Sequence, residues 1–352
     1  MTVPILSLLT LTSPNNAWGK MKRQTVAFSR KSSNLFFHIL TRCNLRCAHC
    51  YINSQQHGET TLDLGTIESW LKLFAHKARQ TNLILLGGEP TLHPDLSRVV
   101  KGAKASGFKS ITIDTNGYLF HNILDKITPD EVDYISFSLD GATSHTNDAI
   151  RGNGCYDTVL SGVERARNRG FSCSMIYTVS EKNIHELEQM PDLVKSLGIS
   201  RFFIQVIGMR GKASTDDSDT PQVCRQTWQN LIPKVAERIA GQGITVTYPK
   251  VFLEPEDSFE CAGTVADNYF IFPNGRVYRC PVCEDFALHS YEIRENRLQP
   301  CPKINETDLF DLDIPEGCVM NKMIQPGNLV YDDAGRPVHK IACCMLKQEL
   351  TP

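Results

Sequence analysis

Nowhere in its 352 residues does this chain carry an apolar run long enough to cross a bilayer. Its apolar start, residues 1–11, lacks the basic flank of a secretory signal, since the first Lys or Arg is Lys20. An excess of either charge is missing too. The 37 Lys and Arg against 39 Asp and Glu leave a formal net charge of −2, no electrostatic footprint for nucleic acid or an anionic membrane. Cysteine is what the chain does not lack. Thirteen of them, several spaced Cys-x2-Cys in a neutral chain of this length, do not resemble a small secreted disulfide scaffold and favour metal sites in a reducing cytosol. With 41% hydrophobic residues the chain is long enough for one large domain and a smaller one.

The densest feature is Cys43-Asn44-Leu45-Arg46-Cys47-Ala48-His49-Cys50, placed directly after the apolar run 35–40. A strand that ends in three soft ligands within eight residues suits a metal or an iron–sulfur cluster better than a disulfide. Structural zinc takes four ligands and an ordinary four-iron cluster four cysteines, so three leave one position open unless His49 fills it. An open position is a place for chemistry, and a zinc or ferredoxin-like site is the plain alternative.

From residue 35 onward, strand-like runs alternate with helix-period segments. Strands are expected at 36–40, 83–86, 110–114, 134–138, 171–178 and 201–207, and helices at 64–79, 94–105, 157–169, 184–197 and 223–240. Such alternation means parallel strands with crossover helices. The expected fold is α/β, a partial (β/α)6 TIM-like barrel over 34–250, with an open doubly wound sheet as the alternative of the same pattern. A tail precedes it at 1–33, and a smaller α+β cysteine-rich extension follows at 251–352. Parallel α/β folds place their sites beyond the carboxyl ends of the strands. The second strand is followed by Gly87-Gly88-Glu89-Pro90, where small residues admit backbone to a ligand and a carboxylate can meet a cation. The third ends in Asp114-Thr115-Asn116-Gly117 and the fourth in Ser138-Leu139-Asp140-Gly141, polar turns suited to a ribose. Arg151 suits a carboxylate, or pairs with Asp148.

Cys-x3-Cys-x2-Cys followed some forty residues later by Gly-Gly-Glu-Pro resembles the signature of the radical S-adenosylmethionine (radical SAM) enzymes. The resemblance implies that Cys43, Cys47 and Cys50 hold a 4Fe-4S cluster whose free iron is chelated by SAM. It implies reductive cleavage of SAM to a 5′-deoxyadenosyl radical and abstraction of hydrogen from a substrate C–H bond. It assigns Gly87, Gly88 and Glu89 to the SAM amino group, Ser138 and Arg151 to its carboxylate, Thr115 or Asn116 to the ribose, and His49 and Ile207 to the adenine. A reducing partner such as flavodoxin or ferredoxin is implied with it.

In the second half, Cys261, a hairpin with an Asn274-Gly275 turn, and Cys280 are spaced like the start of a SPASM or twitch extension, which holds an auxiliary 4Fe-4S cluster. The expected ligands are Cys261, Cys280 and Cys283, with Cys301 as the fourth. Cys343 and Cys344, if on a strand, would point to opposite faces. Cys155, Cys173 and Cys224 are expected as core thiols, and Asp257, Glu260 and Asp267 as candidate proton acceptors. The stretch before the first strand is shorter than a separate peptide-binding domain, so the substrate is a peptide recognised with other help, or a small molecule. The rival class is a non-catalytic iron–sulfur carrier or a zinc-stabilised binding module.

Overall fold

The structure, a computed structural model, describes residues 22–26, 33–214 and 222–352. The apolar start and nearly all of the polar stretch 214–220 lie outside the described residues. Fifteen strands are described: β1 Lys22–Val26, β2 Ser33–His38, β3 Thr81–Leu86, β4 Ser110–Thr115, β5 Tyr134–Ser138, β6 Cys173–Val179, β7 Arg201–Val206, β8 Thr245–Pro249, β9 Phe252–Leu253, β10 Asp267–Ile271, β11 Arg276–Tyr278, β12 Tyr291–Arg294, β13 Arg297–Pro300, β14 Lys340–Ile341 and β15 Lys347–Thr351. Thirteen form one sheet in the order β1-β15-β8-β7-β6-β5-β4-β3-β2-β10-β11-β12-β13, and β14 pairs with β9. The run from β2 to β8 is parallel throughout. This is the α/β partial barrel that the alternation predicts.

Period-two patterning decides which face of each strand meets the helices. In β4, Ile111, Ile113 and Thr115 are buried while Ser110, Thr112 and Asp114 are only partly so, and β3 alternates in the same way. The helices complete the core. Asp63 caps Leu64–Phe74 by accepting the Thr66 N–H at 3.0 Å, and the helix buries Ile67, Trp70, Leu71 and Phe74 along one stripe. Each such side chain contributes roughly 1.5–3 kcal/mol on burial.

The C-terminal region does not hang from the barrel as a separate layer. Its β10 adds to β2 in parallel, with Phe270 stacked on Phe36 at 4.5 Å, and its last strand, β15, inserts between β8 and β1. Gly275 takes φ +86° in the β10–β11 turn, which is why the Asn-Gly signal marks a hairpin. Among the described residues no helix is long and apolar enough to cross a membrane.

Candidate active site

The cysteine loop sits at the carboxyl end of β2 and is held by backbone bonds from several neighbouring segments. Beyond β3, Gly88 N–H donates to the Leu40 carbonyl at 3.1 Å and Glu89 N–H to that of Arg42 at 3.0 Å. Ala48 N–H donates to Ile150 O at 2.9 Å, and beyond β7 Lys212 N–H donates to Cys50 O at 2.9 Å. From β4, the Asn116 amide donates to Asn44 Oδ1 at 2.8 Å and stands 3.8 Å from Cys43 Sγ. A Cβ on Gly87 or Gly88 would run into the carbonyls of Leu40 or of Thr41 and Arg42. These glycines therefore serve a close approach to the chain's own cysteine loop, where the sequence suggests approach to a ligand.

Glu89 is likewise engaged by the chain itself. It is wholly buried, and its carboxylate accepts from Thr91 N–H at 3.0 Å, Thr91 Oγ1 at 2.5 Å, Thr115 Oγ1 at 2.8 Å and Asn116 N–H at 2.7 Å. It ties the ends of β3 and β4 together, and Thr115 is spent on that bond. What this motif presents outward is backbone.

His49 and Arg151 both turn to Asp140, which no sequence signal singled out. His49 Nε2 donates to Asp140 Oδ2 at 2.6 Å, and Arg151 Nε lies 2.6 Å from the same oxygen. Asp140 is fully buried and also receives the Thr178 N–H at 2.8 Å. Burial alone would raise its carboxyl; Arg151 and His49 outweigh that and hold it well below the usual carboxylate range. Asp148, the partner that the sequence offered Arg151, instead accepts the N–H groups of Gly154 and Tyr156. Ser138 ends β5 half-buried, whereas Ile207 is a core residue, 2% exposed. Beside the loop an open recess of about 500 Å³ is lined in part by Arg46 and Arg151.

The three thiols fit a cluster better than a single ion. Thiolates on one tetrahedral zinc stand ~3.8 Å apart. Among the described residues only His289, Glu292 and Cys301 bring three such donor atoms within 4.8 Å of one another, so Cys43, Cys47 and Cys50 are spread more widely. Burial, with Glu89 and the other two thiols acting the same way, pushes the Cys43 thiol up to about 11, so it needs a bound cation to ionise. With His49 committed to Asp140, three side chains remain to hold a 4Fe-4S cluster here.

A second thiol set lines an apolar cavity: Cys261, Cys280, Cys318, Cys343 and Cys344. Cys283 is buried one turn from Cys280, with its thiol against that of Cys280 in the same packed cluster as Cys318. Cys301, the expected fourth ligand, lies instead with His289 and Glu292. Cys343 and Cys344 follow β14 in a turn, so the strand alternation that would have separated them does not apply. Pairing of β14 with β9 returns them to Cys261, a contact that spacing along the chain does not encode. Burial, then the neighbouring Cys343, push the Cys261 thiol up to about 12. Buried Glu306 holds the loop, accepting from Arg279 N–H at 2.7 Å and Cys280 N–H at 3.0 Å.

Arg210 joins the two halves. It donates to Pro281 O at 2.6 Å, lies 3.3 Å from Glu284 and caps the Tyr51 ring at 4.9 Å. Cys155 and Cys173 are buried, but Cys224 is exposed at the start of the helix Arg225–Ala240. Asp257 and Asp267 pair with Lys250 and Lys77, and Glu260 is exposed.

Residues 37–194, a little under half of the chain, match the family model described as Radical SAM superfamily, so this segment is a radical SAM domain, and the cofactors of that superfamily are a 4Fe-4S cluster and SAM. It is similar to the pre-heme d1 synthase of Dinoroseobacter shibae, 28% identical over 59% of this chain and 52% of that protein, so it spans about half the length of this relative. It is also similar to a probable GTP 3′,8-cyclase of Saccharolobus solfataricus, 24% identical over 76% of this chain and 88% of the relative. Streptococcus suis SuiB bound to S-adenosylmethionine shares the fold, with TM-score 0.60 and 14% identity over 81% of this chain and 64% of SuiB.

Proposed function

We propose that this chain reductively cleaves SAM and that the resulting 5′-deoxyadenosyl radical abstracts hydrogen from a C–H bond of a substrate held in the half-barrel. The observation that carries this reading is the tie between His49 and Asp140, which leaves Cys43, Cys47 and Cys50 as the side chains at the loop. Bound there, the cluster supplies the electron and its free iron the anchor for SAM. The Gly87–Gly88 segment offers backbone groups to the SAM ammonium. The Arg151 guanidinium, steadied through Nε, offers its terminal amino groups to the carboxylate. Ser138 stands at the end of β5 for the same carboxylate, and Asn116 just beyond β4 for the ribose. His49 and Ile207 have less to offer the adenine, since one ring is pinned and the other side chain is in the core.

A 4Fe-4S cluster held by Cys261, Cys280, Cys318 and one of Cys343 and Cys344 belongs to the same reading, as an auxiliary centre. The names of the relatives by sequence, a heme precursor synthase and a GTP cyclase, favour a small-molecule substrate. A peptide is the other outcome, since SuiB has been crystallised with its precursor peptide. A small soluble reductant protein and the reducing cytosol complete the setting, in which thirteen free cysteines persist. The test is anaerobic reconstitution with iron, sulfide, SAM and dithionite. Formation of 5′-deoxyadenosine, lost in Cys50→Ala, is expected; a cluster-loaded protein that forms none would remove the reading. Deuterium transfer from labelled peptides or metabolites into the nucleoside then separates the substrate classes.

Asp114 is the candidate proton acceptor. It stands on the inner face of β4 in register with Ser136, and burial pushes its carboxyl up to about 7 while the Ser136 hydroxyl pulls the other way. A base must be ionised, so product formation is expected to rise with pH through about 7. Asp114→Asn should lose product while still forming 5′-deoxyadenosine. Stability runs the opposite way. Because folding raises this pKa, the folded chain holds the proton more tightly, and this group's contribution declines as pH rises from about 4 to about 7. A flat pH profile and an unaffected Asp114→Asn would exclude the role.

A further inference from the structure

His289, Glu292 and Cys301 each place one donor atom within 4.8 Å of the other two, the tightest such set among the described residues. The β12–β13 ladder makes this meeting. Tyr291 pairs with Pro300, and Cys301 N–H continues the ladder by donating to Ser290 O at 2.9 Å. Cys301 therefore stands across from Ser290, on the strand face that also carries Glu292. His289 enters from the preceding loop with its ring edge against Tyr278, 5.7 Å between centroids.

Among the described residues, this cluster is only partly satisfied. His289 Nδ1 is buried without a hydrogen-bond partner, a condition that points to a water or an ion. Of the two arginines nearby, Arg276 is committed to Gln56 at 2.8 Å. Arg294 meets Glu292 at 2.7 Å, but it is 66% exposed, and surface pairs of this kind are weak competitors for a divalent cation.

We propose that His289, Glu292 and Cys301 form a mononuclear zinc site, distinct from the cysteine-lined cavity, with a fourth position left for water. One imidazole, one thiolate and one carboxylate select zinc over magnesium or calcium, and a single thiolate cannot hold a cluster. Tetrahedral zinc would bring these donors to about 3.3–3.8 Å apart, a side-chain adjustment of about 1 Å. Binding converts the Cys301 thiol to a zinc thiolate and releases one proton. The site steadies the auxiliary-cavity loop, because Ser290, beside His289, donates its N–H at 3.0 Å and its hydroxyl to Glu306, the carboxylate that receives Cys280 N–H.

The experiment uses the full chain with its iron–sulfur sites reconstituted, so that those cysteines are filled. Zinc and iron are counted by mass spectrometry after titration with Zn²⁺ and desalting, and the zinc shell is read by X-ray absorption at the zinc edge. The expected result is one zinc per chain, with one sulfur at about 2.3 Å and nitrogen or oxygen neighbours at about 2.0–2.1 Å. Zinc affinity should fall about tenfold or more in Cys301→Ser, His289→Gln and the near-isosteric Glu292→Gln, with iron content unchanged. No retained zinc, an all-sulfur shell, or wild-type zinc affinity in these variants would each overturn the proposal.

Discussion

Asp140→Asn is expected to cost the folded chain about 3–5 kcal/mol, the usual result of removing one partner from a buried ion pair. The substitution keeps the shape and removes the charge. Arg151 and His49, both packed against Asp140 Oδ2, then lose a fully buried counter-charge. Because Ala48 N–H is bonded to Ile150 beside Arg151, and Cys47 lies near the Arg151 carbonyl, the disturbance passes to the cysteine loop. The variant should show a clear drop in thermal midpoint and slower SAM cleavage. Asp148→Asn, which leaves the triad intact, should show the smaller loss of about 1 kcal/mol for hydrogen bonds to two backbone N–H groups. Equal effects from the two would mean that Asp140 does not anchor Arg151.

The second large effect is compositional. If the C-terminal cavity holds a cluster through Cys318, then Cys318→Ser should reduce iron from about eight to about four per chain, and Cys301→Ser should leave it at about eight. Iron and sulfide analysis of the anaerobically purified variants decides the matter. The reverse pattern would return the fourth ligand to the position that spacing alone suggested.

How much of this was legible without coordinates varies by the range of the interaction. The parallel strands were, within one or two residues at most ends, because alternation and turn chemistry are local. The cysteine triplet was legible because three donors lie within eight residues. The surroundings of Glu89 were not legible for a physical reason: Gly-Gly-Glu-Pro looks the same whether its carboxylate faces only a ligand or also accepts four hydrogen bonds inside the fold. Asp140 was taken for part of a turn. Its burial depends on β6, which delivers the Thr178 N–H, and on Asn183, which reaches its carbonyl at 3.0 Å. Asp114 was passed over, since a strand-end aspartate acquires its unusual proton affinity only when neighbouring strands close round it.

The amino-acid sequence by itself determined the α/β alternation, the three-thiol loop after β2 and the hairpin between Cys261 and Cys280, since each is written within a span that one or two elements cover. Only the tertiary structure decided that His49 and Arg151 share Asp140. It alone brought Cys318 and the Cys343–Cys344 turn to the cavity of Cys261 and Cys280, and set Cys301 beside His289 and Glu292. The Cys301 set rests on the local β12–β13 hairpin, which no sequence expectation marked, whereas the second cavity rests on a pairing between distant segments, β9 with β14. The register of such pairings is fixed by burial across the whole sheet and leaves no local trace.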